Sequence, residues 1–318
     1  MDMIHVRAVS PPDLTDRALT ALGADPCVLN LVLLRGGARH PDGDAIECDV
    51  LTGAANTVLR GLRELGIDRR GSLVLDPVDV VLSDTAERAG AASPGARLRT
   101  PVWDQVEARI RAEGRYPPSF HLLLVIAGII GAVGIISNSQ ILIVAAMVVG
   151  PEYGAITSVA LGIDRHDRAR VREGLRALLV GFALAIAATL LFALLVRAFD
   201  LQPEAFRLGV RPVAHLINTP NFFSLVVAVL AGIVGIVSLT EARTSALLGV
   251  FISVTTIPAG ADLGVSLAFA SWDEARGSLF QLLLNVVVLI LVGTGTLRCQ
   301  RAIWRRISAG AAARAEVR

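Results

Sequence analysis

The chain has 318 residues with 30 Lys plus Arg against 28 Asp plus Glu, a formal charge of +2. That balance does not mark a nucleic-acid binder. With 53% hydrophobic residues and a mean hydropathy of +0.61, the composition is greasy, but unevenly so: residues 1 to about 115 read as soluble protein, and most of the rest is apolar runs long enough to cross a bilayer. All 30 bases are Arg, from which no function follows. Three cysteines, Cys27, Cys48 and Cys299, show neither CxxC nor Cys/His spacing, which excludes a disulfide framework and predicts a reducing, cytosolic setting for the soluble part. No metal site, no cofactor and no nucleic-acid partner are expected. The start MDMIHVRAVSPPDL has no basic region followed by an apolar stretch, so no cleavable signal peptide is expected.

In chain order, MIHVRAV alternates like a strand, and PPDLTDRALTAL follows with Pro at a helix start and Leu14, Ala18 and Leu22 at helical spacing. CVLNLVLLR is the next strand, GGARHPDGD a turn, then AIECDV a strand, LTGAANTVLRGLRELG a helix and GSLVLDPVDVVL a strand. The order βαββαβ predicts an α+β, ferredoxin-like domain over residues 1–83, which packs or dimerises the protein or binds a small regulatory ligand. Residues 84–117 are expected to form an Ala/Gly/Ser/Arg-rich linker and an amphipathic helix whose Val102, Val106 and Ile110 share one face and lie on the membrane interface.

Residues 118–298 are expected to form an all-α polytopic membrane domain of six spans, at 119–137, 140–163, 175–197, 222–239, 245–270 and 277–297, with 299–318 a basic tail. Arginines cluster after the second span (Arg165, Arg168, Arg170, Arg172, Arg176) and after the sixth (Arg298, Arg301, Arg305, Arg306), whereas the turn SNSQ carries no charge. The positive-inside rule then places both termini in the cytosol and the protein in the cytoplasmic, inner membrane.

AGIIGAVGI from Ala127 matches AGIVGIVSL from Ala231, with Gly128 and Gly131 aligned to Gly232 and Gly235. Each such span is followed by a short polar turn, then a span broken at proline (VVGPEYGAITS, then VTTIPAGADLG), then an uninterrupted span. Three spans per half, over about 119–197 and 222–297, predict two inverted repeats. Pro151 and Pro258 remove backbone donors, and freed carbonyls inside hydrocarbon imply protein or a water-lined cavity to satisfy them. Glu152 follows Pro151, and Asp262 lies one turn after Pro258. An ionisable group at mid-bilayer costs at least ~2.5 kcal/mol and is a site candidate by default. Gly150, Tyr153, Thr255 and Thr256 complete the candidate set for a solute or ion.

Asn138-Ser139, Ala146-Met147 and Gly150-Pro151, preceded by the βαββαβ region and followed by a second broken span, resemble the bacterial and archaeal domain-of-unknown-function 389 family, an uncharacterised hydrophobic membrane domain. The resemblance covers most of the chain. This sequence departs from the family pattern in Ala145, where the family carries Gly, and in Glu-Tyr-Gly-Ala from Glu152, where a more apolar stretch is common. The family brings no activity with it. The expected function is a secondary transporter or channel for a small solute or ion, with a midplane cavity between two broken helices, acting as a homodimer. The alternative is a non-transporting membrane sensor or scaffold whose N-terminal domain binds a ligand or partner. No nucleophile and base, and no HExxH, are seen that would make it an enzyme.

Overall fold

The computed structural model describes residues 3–78, 81–92, 101–209, 211–241, 249–250 and 255–316. The chain divides into two compact units, residues 1–106 with 301–318, and residues 107–300.

The first unit begins with β1 (Met3–Ser10), α1 (Pro12–Gly23), β2 (Val28–Arg39), β3 (Asp42–Leu51), α2 (Thr52–Glu64), the single turn α3 (Ile67–Arg70) and β4 (Ser72–Val78). The four strands make one antiparallel sheet in the order β2-β3-β1-β4. Period-two alternation puts Ile4, Val6 and Ala8 of β1 and Ile46, Cys48 and Val50 of β3 on one face, where Leu14, Ala18 and Leu22 of α1 and Ala55, Leu59 and Leu62 of α2 cover them. The expected turn at 36–44 is mostly strand. β2 and β3 extend through it with an irregularity between Leu34 and Ala38, where Gly36 takes φ +62° and its N–H reaches Asp44 Oδ1 at 2.7 Å.

The expected linker is helical in its first part. α4 (Asp84–Ala92) starts where Ser83 Oγ accepts from the Ala86 N–H at 3.2 Å, and Ala86 packs with Met3, Cys27 and Leu51. Residues 93–100 lie outside the described ones. α5 (Trp103–Glu113) is the expected amphipathic helix, but its face is not free for a bilayer: Val102, Val106 and Ile110 are all buried in protein. Asn56 of α2 holds its start by donating to the Pro101 carbonyl at 3.0 Å and accepting from the Trp103 N–H at 3.2 Å.

The second unit carries α6 (Pro118–Ile136), α7 (Gln140–Val149), α8 (Glu152–Asp164), α9 (Arg168–Ala198), the short α10 (Glu204–Arg207) and α11 (Pro212–Asn218), α12 (Phe222–Thr240), α13 (Thr256–Ala268) and α14 (Trp272–Glu316). Among the described residues, α6, α9, α12 and α14 are each long and apolar enough to cross a membrane, and α7 with α8 forms one further candidate bent by 49°. Of the expected fifth span only 249–250 and the part from Thr255 fall within the described residues. α9 begins before the predicted residue 175 because Asp167 caps it, accepting from the Arg170 N–H at 3.1 Å. α14 runs on through most of the predicted basic tail.

Three of these helices restart at one constant interval. α12 begins 104 residues after α6 (Phe222 against Pro118), α13 after α8 (Thr256 against Glu152) and α14 after α9 (Trp272 against Arg168), and the ends of the first two pairs keep the same interval. α8 and α13 also end alike. His166 and Ala270 adopt φ +58°, and the next N–H closes back on the helix, Asp167 to the Gly162 carbonyl at 2.8 Å and Ser271 to that of Ser266 at 2.9 Å. Small residues set the helix contacts: a Cβ on Gly131 of α6 would lie 2.9 Å from Ala261 Cβ of α13.

Candidate functional site

The second span breaks where the proline predicts. Pro151 has no N–H to continue α7 and pushes Gly150 into extended backbone at φ −68° and ψ 127°. α8 therefore starts afresh at Glu152, whose carboxylate stands in a first turn, where free N–H groups and the positive end of the helix dipole favour an anion.

The other start is not at a proline. α13 begins at Thr256 after Thr255, and Pro258 is the third residue of the helix, in the first turn, where its missing N–H costs nothing. By the constant interval, Thr255 and not Pro258 occupies the place of Pro151, and Thr256 that of Glu152. These two equivalent residues meet: Thr256 Oγ1 donates to Glu152 Oε1 at 2.7 Å. Both are buried, Glu152 at 7% exposure and Thr256 at 0%. Glu152 Oε2 has no hydrogen-bond partner. A Cβ on Gly150 would overlap that oxygen and come within 2.7 Å of Ile257 Cγ1, so only glycine lets the carboxylate and α13 close over the break.

Thr255 accepts from Asn285 Nδ2 at 3.0 Å and, at a longer 3.4 Å, from Gln281 Nε2, which also donates to Asn285 Oδ1 at 3.1 Å. Ser278, Gln281 and Asn285 are all buried on α14. They were not among the sequence candidates, although SLFQLLLN carries them at i, i+3 and i+7, the spacing of one helix face.

Asp262 belongs to a second cluster. It lies six residues beyond Thr256, about 9 Å along the helix, at 1% exposure, and accepts from Ser278 Oγ at 2.5 Å. Beside it Arg211 stacks 4.0 Å over Phe206 and pairs with Glu274 at 3.1 Å. Tyr153 turns from Glu152 toward α12, its hydroxyl on the backbone of Gly235, where any Cβ would overlap it. Gly150, Pro151 and Tyr153 line a cavity of about 440 Å³ with Glu113, and neither Glu152 nor Asp262 lines it. Burial pushes the Glu113 carboxyl above its usual range, with Arg109 opposing.

The structure thus gathers Gly150, Glu152, Thr255 and Thr256 at the meeting of two helix starts and leaves Asp262 apart. A buried carboxylate with one oxygen satisfied and one free is an acceptor for a proton or a hard cation. Among the described residues no cluster of three His, Cys, Asp or Glu could hold a metal ion.

Residues 147–291 match the family model described as Domain of unknown function (DUF389). An uncharacterized protein of Methanocaldococcus jannaschii is 24% identical over 170 residues, 54% of this chain and 50% of that one. The chain thus spans about half the length of the curated relative it matches. No solved structure matches.

Proposed function

We propose that this chain, whose residues 147–291 form a DUF389 domain, is a cytoplasmic-membrane transporter or channel for a small solute or ion, built from two inverted three-span repeats that meet at Glu152 and Thr256. The observation that carries the reading is the hydrogen bond between these two helix starts, with one carboxylate oxygen left without a partner. The constant interval of 104 residues supports the repeat, and an odd number of spans per repeat inverts one copy against the other. Glu152 is the coupling residue, alternating between a proton or cation and its solute-linked state. Asp262, in its own cluster, is the secondary candidate.

The sheet order β2-β3-β1-β4 supports a ferredoxin-like N-terminal domain. Its edge strand β2 exposes Leu31, Val32 and Leu34, and such an edge suits pairing with a second copy, so the protein acts as a homodimer with both termini cytosolic. No enzymatic step is part of this reading. A non-transporting anchor or scaffold is the second reading, favoured by the close packing of Gly150, Glu152 and Ile257 and by a neighbouring cavity that does not include the carboxylate.

The test is Glu152→Gln, which keeps the shape and removes the charge. In liposomes carrying an entrapped pH dye, the native protein should dissipate an imposed pH gradient and the folded variant should not. Equal dissipation by both removes Glu152 from the coupling role, and none by either favours the anchor.

A further inference from the structure

We propose that the groove between the end of α8 and the start of α9 is a binding site for an anionic phospholipid. The groove has a volume of about 870 Å³ and combines two kinds of group: His166, Arg168, Arg172 and Arg176 line it together with the apolar Ile163, Val171, Leu175 and Leu179. No acidic residue lines it. Arg168, Arg172 and Arg176 recur every four residues, so they share one helix face over about 12 Å. Among the described residues none of the three makes an ion pair. Two neighbouring acids are engaged elsewhere, Asp167 with Arg170 and Asp164 with Arg298, both at 3.4 Å, and Glu173 of the same helix lines a separate cavity with Arg170.

The leucines are as informative as the arginines. Leu175 is 45% and Leu179 74% exposed, on a helix of 31 residues. At 1.5 Å per residue that helix is about 46 Å long, against a hydrocarbon core of about 30 Å. Its first turns, with the arginines and Leu175, therefore stand at headgroup level, and Leu179 beyond Arg176 reaches toward the acyl region. A free anion would use the guanidinium groups and leave the leucines idle, and nucleic acid would have no contact for them. A phosphodiester carrying acyl chains satisfies both kinds of group at once. Since the site uses only the membrane character of α9, it does not depend on transport.

The full-length protein in detergent, offered equimolar dioleoyl-phosphatidylglycerol and dioleoyl-phosphatidylcholine, is read by native mass spectrometry. The native chain should retain phosphatidylglycerol by at least about fivefold, the effect expected of a single base near an anionic surface. Arg168→Gln, Arg172→Gln and Arg176→Gln together should abolish the preference, and the three Lys replacements should keep it. Glycerol 3-phosphate should not displace the lipid; displacement would assign the site to a free anion and overturn the proposal. Equal retention of the two lipids by the native chain would overturn it. So would an equal loss of preference when the exposed Arg69, Arg276 and Arg306 are changed to Gln instead, because binding would then be diffuse.

Discussion

At the residue scale, two carboxylates show how position decides what a charge does. Asp44 is held at the sheet's hairpin by the Gly36 N–H, and chiefly for that reason its carboxyl lies below the ordinary value of 3.8. A depressed folded-state pKa contributes stability that is present above 3.8 and is lost as pH falls through the lower folded value. Asp44→Asn should therefore be less stable than the native chain at neutral pH, and the gap in melting temperature should close on acidification below that point. A constant gap down to low pH would contradict the assignment. Glu152 has no such N–H donor from a neighbouring loop. It bonds a threonine hydroxyl instead, and like Asp44 it keeps one oxygen without a partner. Its candidacy was legible because a carboxylate inside an apolar run is costly. Thr256 was a candidate too, as a hydroxyl for a solute, but its bond to Glu152 was not legible, because it lies far along the chain and a hydroxyl in a membrane helix more often bonds its own backbone.

At the element scale, proline was a sound guide once and a misleading one once. Pro151 breaks a span because an established helix precedes it, whereas Pro258 sits in a first turn, where proline is accommodated. α4 went unseen because its Ala, Gly and Arg show no apolar stripe; one buried alanine, Ala86, fastens it to the sheet unit. The face of α5 was recognised but its cover was not, since periodicity reports that a face is apolar and not what lies against it. The polar face of α14 holds the start of α13 through Asn285 and Thr255. Asn285→Leu removes one partner of a buried hydrogen bond, and the usual cost is about 1–3 kcal/mol. The variant should melt measurably lower in detergent, and an unchanged melting temperature would show that the amide face does not hold α13.

At the scale of the whole molecule, the order of strands and helices in the first unit was readable because each element carries its own period, but the unit's boundary was not. The sheet recruits Ala86 from α4 and Val102 from the segment before α5, both beyond the residue 83 expected to end the domain. A fragment of residues 1–106 should accordingly show a higher melting temperature than one of residues 1–83, and equal stability would mean that those contacts are incidental.

The matched glycines already stand 104 residues apart, Gly128 to Gly232 and Gly131 to Gly235, and the helix starts keep that interval, which pairs Glu152 with Thr256 and not Pro151 with Pro258. If the halves are inverted copies, positions one interval apart lie on opposite sides of the membrane. His166 and Ala270 are such a pair, each in the left-handed turn that ends its half-helix. In a chain with Cys27, Cys48 and Cys299 replaced by serine, His166→Cys should react with an impermeant maleimide only after permeabilisation, and Ala270→Cys in intact cells. Labelling of both from the same side would contradict the inverted repeat, and with it the proposal that two half-helices approach Glu152 from opposite faces.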